Sequence, residues 1–160
     1  MSVPSYSFQQ FEREFLFTFE SVSDEKTIRK VIVYELFDTV SLIYNVALVD
    51  IDKKGEASDL VVSNNKDMEM VLSTVIQTFP VFFKRQPLAK IFLKGSTDVR
   101  TRLYQMAINK YLDFFEPIYE IYGYLGDSLE EIPEKFMSNR HYKGFLIRLK
   151  TIHQNENERK

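Results

Sequence analysis

The hydrophobic period of this chain changes near its middle, and this change restricts the folds that it can adopt. Up to residue 63, apolar residues alternate with polar ones, as in half-buried strands. After Ser63-Asn64-Asn65, a cluster of helix-capping residues, the apolar positions follow a helical period. Strands followed by a mixture of helices and strands favour an α+β fold. The helical positions are Met68, Val71, Leu72, Val75, Ile76 and Phe79.

The extended segments predict a mainly antiparallel sheet of six to seven strands. An opening meander has its third strand at Ile43 to Ile51, a hairpin turn at Asp52 to Gly55, and a fourth strand at Asp59 to Ser63. The other predicted strands are marked by Phe15, Phe17 and Phe19, by Ile28, Ile32, Tyr34 and Leu36, and by the ranges Ala89 to Leu93, Ile118 to Leu125 and Gly144 to Leu149.

Two principal helices are expected to pack on this sheet. The first should kink or stop at Pro80, which restricts the residue before it and lacks a backbone donor. The second runs from about Asp98 to Phe115, with Thr97 as N-cap and Pro117 beyond its end. Its predicted core stripe is Val99, Leu103, Met106 and Phe114, beside a second stripe of Arg100, Tyr104, Ile108 and Tyr111.

The chain has 160 residues, which suits one domain, predicted over residues 1–150, followed by a polar tail at 151–160. It has no Cys, which excludes disulfide scaffolds, thiolate metal sites and cysteine nucleophiles. The start of the chain lacks the pattern of a secretion signal, and no apolar run reaches the roughly 20 residues that a membrane helix needs. We therefore expect a cytoplasmic protein without a membrane contact.

The net charge of -2 conceals an uneven distribution. Residues 84–110 contain seven Lys and Arg but a single acid, a local balance of +6. Such segregation predicts a basic patch that attracts phosphate-bearing partners, although a solvated surface explains it equally well.

The segment Lys94-Gly95-Ser96-Thr97, which we call the KGST loop, joins a predicted strand to the second helix. A glycine allows close backbone approach, and free N–H groups at a helix N-terminus bind oxyanions. Arg100 and Arg102 follow where the helix dipole prefers negative charge, so an anion site is predicted. The alternative is a glycine turn with a Ser/Thr cap, in which Asp98 complements the dipole.

Arg100 and Tyr104 are one helical turn apart, where a guanidinium and a ring flank a planar group. Base stacking beside phosphate-binding arginine is common in single-stranded nucleic-acid sites, so RNA or a nucleotide is a candidate ligand. The alternative is that Arg100 and Arg102 pair with acidic residues.

No metal or cofactor is predicted. Asp50, Asp52, Gly55 and Glu56 resemble the start of an EF-hand loop, but Lys54 and Val61 stand at positions 5 and 12, where that loop needs oxygen ligands. For a magnesium site built from Asp50, Asp52, Glu56 and Asp59, a solvated acidic turn is the better explanation. His141, the only His outside the tail, is the candidate general base, although a lone His in a basic loop is more often a surface residue.

With these residues identified, the chain resembles an uncharacterised bacterial domain family, found mainly in Bacteroidetes and known only as a domain of unknown function. The resemblance covers most of residues 14–150 and implies no activity. Three blocks carry it: Tyr44 to Leu48, Ser58 to Asn65 with Val71 to Val75, and the signature of Lys94 to Thr97 with Arg100 to Tyr104.

Two classes of function follow from the sequence. The first is a binding domain that holds a phosphate-bearing ligand through Lys94, Gly95, Ser96, Thr97, Arg100, Arg102 and Tyr104, or else binds a small protein partner in a two-gene system. The second is a toxin-like ribonuclease or phosphoryl-transfer enzyme, in which Tyr104 or His141 handles protons. The binding domain is favoured because no nucleophile with its orienting base can be assembled.

Overall fold

A computed structural model of the chain describes residues 5–11, 15–22, 27–51, 57–58 and 68–150. The predicted turn at 52–55, the predicted strand at 59–63 and the tail at 151–160 lie outside these residues. No helix in the described part of the chain is long and apolar enough to span a membrane.

The first five strands are joined by antiparallel pairing, and β2, β3 and β4 are the first three strands of the predicted meander. β2, β3 and β4 pair in sequence order, and β5 pairs with β4. β1 was not predicted, because three residues are too few for alternation to be recognised. The strands are β1 (Gln9–Phe11), β2 (Leu16–Val22), β3 (Thr27–Asp38), β4 (Ile43–Ile51) and β5 (Ala57–Ser58).

Each of the two predicted helices consists of two pieces. The first divides at Thr78, and Pro80 occupies the first turn of the second piece, where its missing N–H costs nothing. The second divides at Tyr111. The elements are α1 (Met68–Gln77), α2 (Phe79–Arg85), β6 (Lys90–Leu93), α3 (Asp98–Lys110), α4 (Leu112–Phe115), β7 (Tyr119–Tyr124), β8 (Glu134–Lys135) and β9 (Gly144–Leu149).

All the described strands belong to one mixed sheet with the order β1-β2-β3-β4-β6-β9-β7-β8. Every described pairing is antiparallel except that of β4 with β6, which is parallel. The predicted α+β class with a mainly antiparallel sheet is thus confirmed. The described sheet has nine strands rather than six to seven because it includes three short strands that were not predicted, β1, β5 and β8.

The core lies on the sheet face that the helices cover, and much of it is aromatic. On β4 the buried residues alternate with half-buried ones. Phe82 of α2 is fully buried, and its ring centroid lies 4.5 Å from that of Tyr34 and 4.9 Å from that of Tyr44. The aromatic-rich composition therefore serves packing between helix and sheet.

Three of the four residues predicted as the core stripe of the second helix do not face the core, whereas the fourth, Leu103, is half-buried and packs against it. Val99, Met106 and Phe114 are 70%, 59% and 50% exposed. The backbone of Thr101 packs closely against Gly95, two residues after β6, so that this side of the helix faces the end of the strand. The residues one and two turns further along the same face therefore meet the sheet. The buried residues are Thr101, Tyr104, Gln105, Ala107 and Ile108.

One ion pair is buried in the core-facing side of the sheet. Lys30 Nζ lies 2.6 Å from Asp50 Oδ1, and the two residues are 1% and 6% exposed. The other carboxylate oxygen, Asp50 Oδ2, is buried without a hydrogen-bond partner. Asp50 therefore serves this pair, and not the acidic turn that the sequence associated it with.

Candidate anion-binding site

The KGST loop begins α3 with the predicted cap. Thr97 has extended backbone angles, and its side-chain oxygen accepts a hydrogen bond from the N–H of Arg100 at 3.1 Å. The N–H groups of Asp98 and Val99 belong to the first turn, where the helix itself offers no acceptor. The loop therefore presents unsatisfied donors at the positive end of the helix dipole.

Gly95 is required by packing rather than by ligand approach. A Cβ at this position would lie 2.5 Å from the backbone nitrogen of Thr101. The Thr101 hydroxyl accepts a hydrogen bond from the Gly95 N–H at 3.0 Å and donates one to the Thr97 carbonyl at 3.1 Å. Thr101 thus fixes the loop against the helix, and the Gly95 amide is not available to a ligand.

A cavity of about 200 Å³, which we call the KGST cavity, lies where β6 ends and its parallel neighbour β4 continues. No acidic side chain is present among the described residues that line it. The lining comprises Asn45, Val46, Ala47 and Leu48 of β4, Phe92 of β6, and Lys94, Gly95, Ser96, Arg100 and Tyr104.

Two cations contribute to this cavity. Arg100 Nη1 donates a hydrogen bond to the hydroxyl of Ser96 at 3.2 Å, and no acidic residue of the described chain pairs with Arg100. Lys94 Nζ lies 3.7 Å from Asp127 Oδ1, and both side chains are exposed. An exposed ion pair at this distance contributes little to stability, so the Lys94 side chain can leave Asp127 and bind another anion.

Tyr104 is not the exposed stacking surface that the sequence suggested. It is 2% exposed and belongs to the hydrophobic core, although its ring borders the KGST cavity. Burial raises the pKa of its hydroxyl to about 12, against a smaller lowering by the Arg100 charge. A side chain buried to this extent cannot stack on a nucleic-acid base.

Arg102 does not reach the KGST cavity. Residues two positions apart on a helix point in nearly opposite directions, and Arg102 lines a second cavity of about 130 Å³. His141 and Lys143 line that second cavity, as does Asp98, which lies 4.0 Å from Lys143. The predicted site residues are thus divided between two sides of α3.

The loop that carries His141 is held by Gln105, a buried residue of α3 that the sequence did not single out. The Gln105 amide donates to the carbonyl of Arg140, and its oxygen accepts from the N–H of Tyr142 at 3.2 Å. The sequence does contain a signal for Gln105, because it is a polar residue on a helix face that also carries apolar residues. His141 itself is exposed.

The seven cations of residues 84–110 do not gather at one place. Lys84 and Arg85 end α2, and the Arg85 guanidinium lies 4.4 Å from the ring centre of Phe15. Lys110 pairs with Glu69 at the far end of α3 from the KGST loop. The continuous basic patch expected from the sequence is therefore not formed by these residues.

The described residues contain no group of three or more His, Asp or Glu side chains that could hold a metal ion. The KGST cavity brings the side chains of Lys94 and Arg100 together around a volume that could admit a small molecule. The arrangement is suited to binding negative charge, and it includes no carboxylate or imidazole that could act as a base.

Residues 2–150 match a family model described as Family of unknown function (DUF6934). The chain belongs to this family. The predicted resemblance to a domain of unknown function is therefore confirmed, while its bacterial source and KGST signature stay predictions. Comparison of this DUF6934 member with curated proteins and with solved structures gave no match in either case.

Proposed function

We propose that this domain binds a phosphate-bearing ligand in the KGST cavity, with Lys94 and Arg100 facing the negative charge. The observation that carries the proposal is the lining of the cavity, which combines two cations, one of them in the first turn of α3, with no acidic side chain among the described residues. The positive end of the helix dipole also favours an anion near the first turn.

The position of Asp98 favours this proposal over a simple helix cap. If the start of α3 were only a helix cap, the Asp98 carboxylate would neutralise the positive end of the helix dipole. Its side chain is 86% exposed and lines the second cavity, on the side of Arg102 and Lys143. The KGST cavity therefore keeps the charge of Arg100 and Lys94 without a carboxylate among its described walls.

The geometry supports a small ligand better than an RNA strand, because the cations of residues 84–110 are dispersed and Tyr104 is buried. The enzymatic alternative has less support, since Tyr104 and His141 line different cavities. A protein partner and a cytoplasmic location stay predictions from the sequence.

The test is calorimetric titration of the protein with inorganic phosphate and with pyrophosphate. Arg100→Gln should weaken binding by about ten- to a hundredfold, the value of a hydrogen bond to a charged group. Arg102→Gln is the matched control, because it removes the same charge from the same helix on the side away from the cavity. Equal losses in both variants, or no binding by the wild type, would contradict the proposal.

A further inference from the structure

Within the described part of the chain, the hydroxyl of Tyr104 has no hydrogen-bond partner, although the side chain is 2% exposed. No described residue donates to it or accepts from it. The described side-chain atoms that are sealed from solvent without a partner are Asp50 Oδ2 and Asn109 Oδ1, and the Tyr104 oxygen is not among them. The small exposed part of Tyr104 therefore includes its hydroxyl, and the space that Tyr104 borders is the KGST cavity.

An unpartnered hydroxyl on a buried tyrosine that borders a cavity needs an explanation, since buried Tyr O–H groups usually find an acceptor. Because burial raises its pKa to about 12, the group stays protonated at neutral pH and can donate a hydrogen bond. The Arg100 charge acts on the same hydroxyl. An oxyanion between Arg100 and Tyr104 would satisfy both groups.

The charge of the cavity suits one phosphate. Lys94 and Arg100 supply two positive charges, and the start of α3 adds roughly half an elementary charge. A phosphate monoester carries about 1.5 to 2 negative charges at pH 7. A phosphodiester carries one, and a polyphosphate would exceed the charge that the lining offers.

The remaining walls indicate what the phosphate is attached to. Val46, Ala47, Leu48 and the ring of Phe92 provide apolar contact, and the Asn45 amide can bind one polar edge. A volume of about 200 Å³ exceeds that of a bare phosphate but lies below the roughly 300 to 1,000 Å³ of typical ligand pockets. The organic part must therefore be small.

We infer that the KGST cavity binds the terminal phosphate of a small phosphate monoester, with the Tyr104 hydroxyl donating to a phosphate oxygen and Phe92 contacting the organic part. This inference rests on the proposed function and narrows it to one class of ligand. A terminal phosphate carries its substituent on one oxygen only, so the other oxygens can approach the Tyr104 hydroxyl. An internal phosphodiester has a substituent on both sides and cannot approach a residue that is 98% buried.

The experiment compares inorganic phosphate, phenyl phosphate and methyl phenyl phosphate as calorimetric ligands of the wild type and of Tyr104→Phe. The wild type should bind phenyl phosphate more tightly than inorganic phosphate, and at least tenfold more tightly than the diester. Tyr104→Phe should weaken phenyl phosphate binding by about ten- to a hundredfold. The variant keeps the ring, so its thermal unfolding midpoint should not fall, because the lost hydroxyl has no partner in the protein.

The outcomes separate the inference from the proposed function. If no phosphate compound binds the wild type, the proposed function fails. If phosphate compounds bind and Arg100→Gln weakens them while Tyr104→Phe does not, or the diester binds as well as the monoester, the proposed function stands and the inference is overturned. A nucleoside 5′-monophosphate and a 5′-phosphorylated oligonucleotide complete the series, and binding of the oligonucleotide alone would overturn the small-molecule assignment.

Discussion

Arg100 and Arg102 are two residues apart in the sequence, and they line different cavities on different sides of α3. Arg100 shares its cavity with Lys94 and the beginning of the helix, whereas Arg102 lies near His141 and Lys143. Arg100 and Arg102 form one cluster of charge in the sequence, but they belong to two separate surfaces in the fold. Each surface can therefore be altered by mutation without changing the other.

Replacing Gly95 by alanine should destabilise the domain by about 2 kcal/mol or more, within the range of severe steric substitutions. The new methyl group would lie 2.5 Å from a backbone nitrogen of α3, which cannot move without displacing the helix. Urea unfolding measures the change in the free energy of unfolding.

Gly126→Ala is the control for this experiment. Its added Cβ would meet the end of the Glu131 side chain at 2.8 Å, and a flexible side chain can move. The expected loss is therefore well below that of Gly95→Ala. Similar losses at both positions would show that the contact between Gly95 and the helix is not tight.

Met106→Lys should leave the free energy of unfolding within about 0.5 kcal/mol of the wild type, as for other exposed positions. Ile108→Lys, two residues further on, should cost several kcal/mol, because Ile108 is 2% exposed and a buried unpaired charge is costly. Circular dichroism during thermal unfolding distinguishes the two. The reverse order would restore the core stripe first predicted from the sequence.

Lys30→Met should destabilise the protein by about 3–5 kcal/mol, because it leaves the Asp50 carboxylate buried without its cation. The double variant Lys30→Met/Asp50→Leu removes both charges and should regain most of that loss. Chemical denaturation of the two variants and of Asp50→Leu completes the cycle. Additive losses would mean that the two residues act independently.

The acid sensitivity of unfolding should depend on Glu120. Partial burial raises the pKa of this carboxylate, but hydrogen bonds from Arg148 and Tyr122 outweigh it and hold the pKa below its ordinary value. Because the folded-state pKa is lowered, the stabilisation is complete above the unfolded-state pKa of about 4.3 and is lost as the pH falls through the folded-state pKa.

We therefore expect the free energy of unfolding to fall less steeply below about pH 4.3 in Glu120→Gln than in the wild type. Arg148→Gln should flatten the profile in the same way, since it removes the group 2.7 Å from the carboxylate. Fluorescence-monitored urea titrations at a series of pH values provide the measurement. Identical slopes in all three proteins would exclude this pair as a source of acid sensitivity.

Local signals predicted much of the fold and part of the site. The cap at Thr97 and the break near Pro80 depend on neighbouring residues alone, and both are present. The buried face of α3 could not be decided locally, because Val99 and Met106 on one side match Tyr104 and Ile108 on the other in apolar character.

Two residues that line the KGST cavity, Asn45 and Phe92, were not predicted from the sequence, and the reason is different. Asn45 and Phe92 are 47 positions apart, and they become neighbours only through the parallel pairing of β4 with β6. The residues around Asn45 and Phe92 contain no signal that these two distant strands pair with each other. The divergence of Arg100 and Arg102, by contrast, follows from helical geometry and could have been predicted.

The position of β9 in the sheet has a consequence for how the chain matures on the ribosome. This strand is nearly the last element in sequence, yet it lies between β6 and β7 in the interior of the sheet. Until residues 144–149 have left the ribosome, β6 lacks its neighbour β9. The KGST loop, which follows β6, is then attached to an incomplete sheet. We therefore expect the nascent chain to acquire ligand affinity only after residues 144–149 have emerged, so that a product truncated before β9 would neither fold stably nor bind the ligand.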